Sequence, residues 1–127
     1  MPKSTYLDNA VLSAAVLQTP FTPPALIYVA LFTVSPTPAG GGTEVAGAGY
    51  GRQTVTFGLA SLGQVVSNEG VVFPVATAPW GSLTSFALYD ASSGGNLLYF
   101  GNLSTSRTVL AGDQVTFPSG QLVLIES

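Results

Sequence analysis

Glycine and proline punctuate this chain so densely that long helices are excluded over most of its length. The 127 residues include 15 Gly and 9 Pro. Between these breakers lie short segments rich in β-branched and aromatic residues. Each breaker interrupts helical periodicity but leaves room for a strand, because Gly and Pro mark turns and bulges at strand ends. The pattern predicts a mainly β chain, an antiparallel β-sandwich or jelly roll, with one short N-terminal helix. A length of 127 residues suits one domain with one core and excludes a second.

The helix is expected near the start. Ser4 or Thr5 can cap it, and Thr5 followed three residues later by Asp8 resembles a capping box. Leu7, Val11, Ala14 or Ala15, and Val16 or Leu17 then recur at helical spacing. Pro20, Pro23 and Pro24 stop the helix and force an extended passage. Residues 1–24 are therefore read as a helix with a Pro-rich arm that docks on a partner, and residues 25–127 as a single β-sandwich domain.

Residues 26–33 (LIYVALFT) are apolar on both faces and read as a central strand. Further strands are expected at 52–58, 71–73, 83–89, 97–103, 114–117 and 122–125. The stretch 34–51 is a long Gly-rich loop, expected to be ordered mainly by neighbouring subunits because glycines lose much entropy on ordering. Asp90 to Asn96 (DASSGGN) reads as a hairpin loop. Three segments, VTFG at Val55, VVFP at Val71 and VTFP at Val115, each end a strand with a Phe directed to the core.

Charge is the second constraint. Three basic and six acidic residues make 7% of the chain, with net charge −3. An average soluble protein carries roughly 25%. Lys3, Arg52 and Arg107 are too few to build a phosphate-binding patch, so nucleic acid is not an expected partner. The longest apolar run, 25–32, falls far short of the about 20 residues of a membrane helix. A surface this poor in charge is suited to being covered by copies of itself, and a homotrimer is the expected assembly.

His and Cys are absent. That removes the commonest general base and metal ligand, every thiol nucleophile and every thiolate metal site. The Gly-rich run 47–51 imitates a phosphate loop, but a strand follows it where a helix is required. Asp90 and Asp113 sit among Gly and Ser, where Asp bonds nearby backbone N–H groups in turns. No catalytic residue, cofactor site or metal site is expected, and the chain reads as non-enzymatic.

The candidate functional residues are those suited to contacts between chains. Tyr6, Leu7 and Val11 lie on the helix, and Tyr50 and Arg52 beside the Gly-rich loop. Trp80 in Ala-Pro-Trp-Gly is either a core aromatic or an interface anchor. Arg52 and Arg107 either pair with an acid across a subunit contact or lie solvated.

As a set, several motifs point further. They are KSTYLDN from Lys3 with VL at Val11, YVALFT from Tyr28, GGGTEV from Gly40, GYGRQ from Gly49, WG at Trp80, FALYDA from Phe86 and GGNLLY from Gly94. In this order the chain resembles a family of small tailed-phage virion proteins, often labelled tail-fibre-like. The resemblance spans nearly the whole chain and brings no catalytic residue with it. It implies a virion component assembled in the host cytoplasm, with the major capsid protein or tail proteins as partners. A capsid decoration (cement) protein that stabilises the head shell is the first reading. A tail or tail-fibre component, as adaptor or host-binding tip, is the alternative.

Overall fold

The computed structural model describes residues 3–18, 26–59, 62–120 and 123–125. Among these are one helix and nine strands, and every strand pairing is antiparallel. The mainly β fold with a short N-terminal helix agrees with the sequence pattern. The Pro-rich passage 19–25 lies outside the described residues.

Helix α1 spans Thr5–Val16. Ser4 is its N-cap, in extended backbone, and its Oγ accepts a hydrogen bond from the Leu7 N–H at 3.1 Å. With Ser4 as cap, the residue three positions on is Leu7, so the expected Thr5–Asp8 capping box does not form. Asp8 still stands in the first turn, where the helix dipole favours a carboxylate. The cap is also a tether. The Ser4 N–H donates to the Leu98 carbonyl at 2.8 Å, the Thr5 N–H to that of Pro38 at 2.7 Å, and Ser4 Oγ to that of Leu97.

Strand β1 (Ile27–Val34) is central, as its sequence predicts. Val29, Ala30, Leu31 and Phe32 are all buried, so both faces are covered. Along one edge it pairs with β2 (Thr43–Glu44) and β3 (Gln53–Val55). Its other edge pairs with β6 (Gly81–Tyr89), which in turn pairs with β7 (Leu97–Val109). The register sets Val29 opposite Leu88 and Ala30 opposite Ala87. Period-two alternation thereby sends Val29, Leu31 and Leu88 into one apolar cluster and Ala30, Phe32 and Ala87 into another.

Two short ladders complete the sandwich: β4 (Gln64–Val66) with β9 (Val123–Ile125), and β5 (Val71–Val72) with β8 (Thr116–Phe117). The main core combines Val29, Leu31, Leu83 and Leu88 of the large sheet with Val71, Phe73 and Val115 from the β5–β8 layer. Phe73 is fully buried, and Phe57 and Phe117 pack partly buried against the same cluster. The three strand-ending Phe residues thus all serve the core. Each fully buried side chain of this size contributes about 1.5–3 kcal/mol.

The Gly-rich stretch is more structured than its sequence suggests. It carries β2, and a turn in which the Thr37 and Gly40 N–H groups each donate to the other residue's carbonyl at 2.8 Å. Gly42 lies at φ 75, and a Cβ there would meet the Val34 carbonyl oxygen at 2.6 Å. Only glycine lets this segment pass so close to β1.

Candidate functional site

The residues singled out in the sequence fall in three places. The first is α1. Its docked side carries Leu7, which is 6% exposed and belongs to the main core. Tyr6 and Val11 are exposed, and so are Leu12, Val16 and Leu17, the last two at 71%. From Val11 to Gln18 no residue is buried. After Asp8, which pairs with Lys3 at 3.7 Å, the helix has no charged residue. The helix is therefore seated by its first turn, while its outer turns present apolar side chains to solvent. A helix of 12 residues is marginal alone in water, so such turns gain most from a partner surface.

The second place is internal. Tyr50, Arg52 and Trp80 are drawn into one network that also contains Glu44, a residue the sequence analysis did not single out. Arg52 forms a two-pronged contact with Glu44, Nε to Oε2 at 2.8 Å and Nη2 to Oε1 at 2.9 Å. Its Nη1 donates to the Ala91 carbonyl at 2.9 Å and that of Gly94 at 2.8 Å. The guanidinium lies 3.8 Å from the Tyr89 ring centroid, in cation–π contact. The Arg52 side chain is only 7% exposed.

Tyr50 links this ion pair to the core. Its hydroxyl donates to Glu44 Oε2 at 2.6 Å and accepts from the Leu31 N–H at 3.1 Å. Its ring stacks on Phe73 at 6.1 Å and meets the Trp80 edge at 5.5 Å. Trp80 is itself buried, and its Nε1 donates to the Ala48 carbonyl at 3.0 Å. Of its two sequence readings, the core one describes this position. Arg52 finds its acid within its own chain, and the loop expected to rely on neighbours is fastened from inside.

The electrostatics match this geometry. Burial pushes the Glu44 carboxyl up, but the hydrogen bonds from Arg52 and Tyr50 and the Arg52 charge outweigh it, leaving the carboxyl below its ordinary value of 4.5. Burial, then the hydrogen bond to Glu44, holds the Tyr50 phenol far above its usual range. The hydrogen bond to Glu44 likewise raises Arg52. Burial raises Tyr89.

The third place is Arg107, exposed on β7 opposite Leu83. It makes no ion pair among the described residues and borders an open cleft.

The carboxylates considered for catalysis act as turn acceptors. Asp90 accepts from the Asn96 N–H at 2.7 Å and from its side-chain amide at 3.0 Å, closing the β6–β7 hairpin loop. Asp113 accepts from the Leu110 N–H at 2.9 Å. Among the described residues no group of three or more acidic side chains gathers as a metal site.

No curated protein matches the chain. A family model does, over residues 2–125, and it is described as Podophage GP4 fiber I protein gp80. The match covers the helix, the Gly-rich segment and both layers of the sandwich. The chain belongs to this gp80 family of podophage fibre proteins and is a phage structural protein.

Proposed function

We propose that the chain is a non-enzymatic component of a phage tail fibre, attached within the particle through the outer turns of α1. The family description, which names a fibre protein, favours the tail over a decoration of the head shell. The observation that carries the attachment is the half-docked helix. Its N-terminal end is tied down by Ser4, which bonds Leu97 and Leu98 of β7, and by the Thr5 N–H, which bonds the Pro38 carbonyl, while Val11, Leu12, Val16 and Leu17 remain exposed on a stretch without charge. Copies of the chain assemble on this surface, as a trimer, together with tail proteins of the same virion. Many copies bound side by side hold by avidity where one contact is weak.

The titratable groups support a structural role. A general acid or base works best when tuned near neutral pH. Glu44 is shifted down and Tyr50 up, both away from neutrality, and their partners are one another and Arg52. That is the signature of an internal ion pair that fastens a loop.

The test is a phage carrying Leu12→Ser, Val16→Ser and Leu17→Ser together. These side chains contribute little to the fold, so the purified variant is expected to keep its circular dichroism spectrum and melting temperature. Mass spectrometry of purified particles is expected to find it depleted. Incorporation at the parental level would overturn the proposed attachment.

A further inference from the structure

The outer end of α1 is apolar on nearly every side, not along one stripe. An α-helix turns about 100° per residue. Counted from Leu7, the docked residue, Val11 stands at about 40°, Ala15 at about 80°, Leu12 at about 140°, Val16 at about 180° and Leu17 at about 280°. All of them are exposed. Ala14, at about 340°, shares the docked side with Leu7 and is exposed as well. The sandwich therefore stops short of these turns, and the helix projects beyond it by about 10 Å between Val11 and Leu17.

A surface helix has one apolar stripe and one polar face, whereas a helix apolar all round is one that other structure surrounds. The end of α1 adds a second requirement. The last four carbonyls of a helix have no partner inside it. Among the described residues nothing donates to those of Ala14, Ala15, Val16 and Leu17. They form the negative end of the helix dipole, and no basic residue stands in the last turn.

We propose that these turns enter a socket in a second virion protein, with apolar walls and N–H donors at its floor. This rests on the attachment through α1 proposed above and specifies what receives it. Copies of α1 packed about a threefold axis touch along one stripe and leave the other faces of each helix bare. Lipid would accept the apolar sides, but hydrocarbon offers no donor to the free carbonyls. A protein socket satisfies both. Its walls need no countercharge, because no charged residue occurs between Asp8 and Glu44.

The chain contains no Cys, so introduced cysteines report without background. Val11→Cys, Leu12→Cys, Ala15→Cys, Val16→Cys and Leu17→Cys are made one at a time, and maleimide labelling is timed on the purified chain and on intact particles. The purified chain is expected to label readily at most of these positions. In particles every position is expected to slow by roughly tenfold or more, since thiol reactivity depends on access. A cysteine variant that keeps the parental melting temperature but is excluded from particles marks a contact as protection does. Protection of one stripe only, such as Leu12 and Val16, would overturn the socket and leave the attachment standing. Labelling in particles as fast as in the purified chain at every position would overturn the attachment itself. Protection of every position in the purified assembly would overturn the second protein, because copies of the chain would then suffice. Protection of the purified chain by phosphatidylethanolamine–phosphatidylglycerol vesicles would overturn it in favour of lipid.

Discussion

Arg52→Ala is the substitution that most directly tests the internal network. It removes two charge-assisted hydrogen bonds to Glu44, two donors to the Ala91 and Gly94 carbonyls, and the contact with Tyr89. Breaking a buried ion pair from one side costs about 3–5 kcal/mol, because the other charge stays behind. Glu44 keeps its bond from Tyr50, and its side chain is 26% exposed, so water recovers part of the loss. The two carbonyls belong to a surface loop and also rehydrate. A net cost of about 2–4 kcal/mol follows, which lowers the melting temperature of a domain this size by roughly 10 °C. Glu44→Gln keeps one oxygen for Tyr50 and Arg52 Nε but turns an NH₂ group onto Arg52 Nη2 and leaves the guanidinium without its countercharge, so it is expected to cost about 2–3 kcal/mol. The pH dependence has a definite sign. The folded-state pKa of Glu44 is depressed below 4.5, so its contribution is complete above that value and is lost as pH falls through the folded pKa. The gap between parent and Arg52→Ala, followed by circular dichroism melts from pH 7 down to pH 3, is therefore expected to narrow in acid. A variant melting within about 2 °C of the parent at pH 7, or a gap that stays constant into acid, would refute this reasoning.

Gly95→Ala is expected to destabilise the hairpin loop far more than Gly94→Ala. Both glycines have positive φ, but a Cβ at Gly95 meets Asp90 Oδ1 at 2.5 Å whereas one at Gly94 meets nothing within 4 Å. Paired denaturant titrations read the difference, and equal midpoints would count against the loop geometry. Sedimentation at micromolar concentration is expected to show a trimer that dissociates in the Leu12, Val16 and Leu17 triple variant; a monomeric parent at full solubility would contradict self-assembly. Asp90→Asn and Asp113→Asn are expected to alter stability alone, with no turnover of envelope polysaccharide or peptidoglycan by parent or variant. Turnover by the parent that one Asp variant abolishes would show that a carboxylate does chemistry.

The elements legible in the sequence are those whose own residues carry the signal. β1 reads as central because apolar side chains fill both of its faces. The β6–β7 hairpin reads from Asp90 and the glycines before Asn96. The helix reads from its spacing and from Ser4, one of its two candidate caps, although the Thr5–Asp8 capping box does not form. The remainder depends on partners distant in sequence. β2 is a two-residue strand among glycines, without periodicity, and exists because Glu44 lies beside Phe32. β7 continues to Val109 rather than ending near Leu103, through a polar run (NLSTSRT) that alternates no apolar residues and is ordered by pairing with β6. β4 has little signal of its own in the sequence, because its pairing partner, β9, lies near the other end of the chain. β3 is shorter than the clean alternation of 52–58 suggests, because only Gln53–Val55 pair in the ladder with β1. The candidate residues divided for the same reason. Side-chain type marked Tyr50, Arg52 and Trp80 as unusual, but only the fold shows that the loop returns them to Glu44 and Phe73.

The central claim is that this chain is a structural component of the tail fibre. Cryo-electron microscopy of particles in which the chain carries a small fused tag on an exposed loop, combined with quantitative mass spectrometry of copies per virion, tests it most directly. The account predicts tag density at the tail and a low copy number in multiples of three. Hundreds of copies distributed over the head shell would contradict it and establish a decoration protein instead.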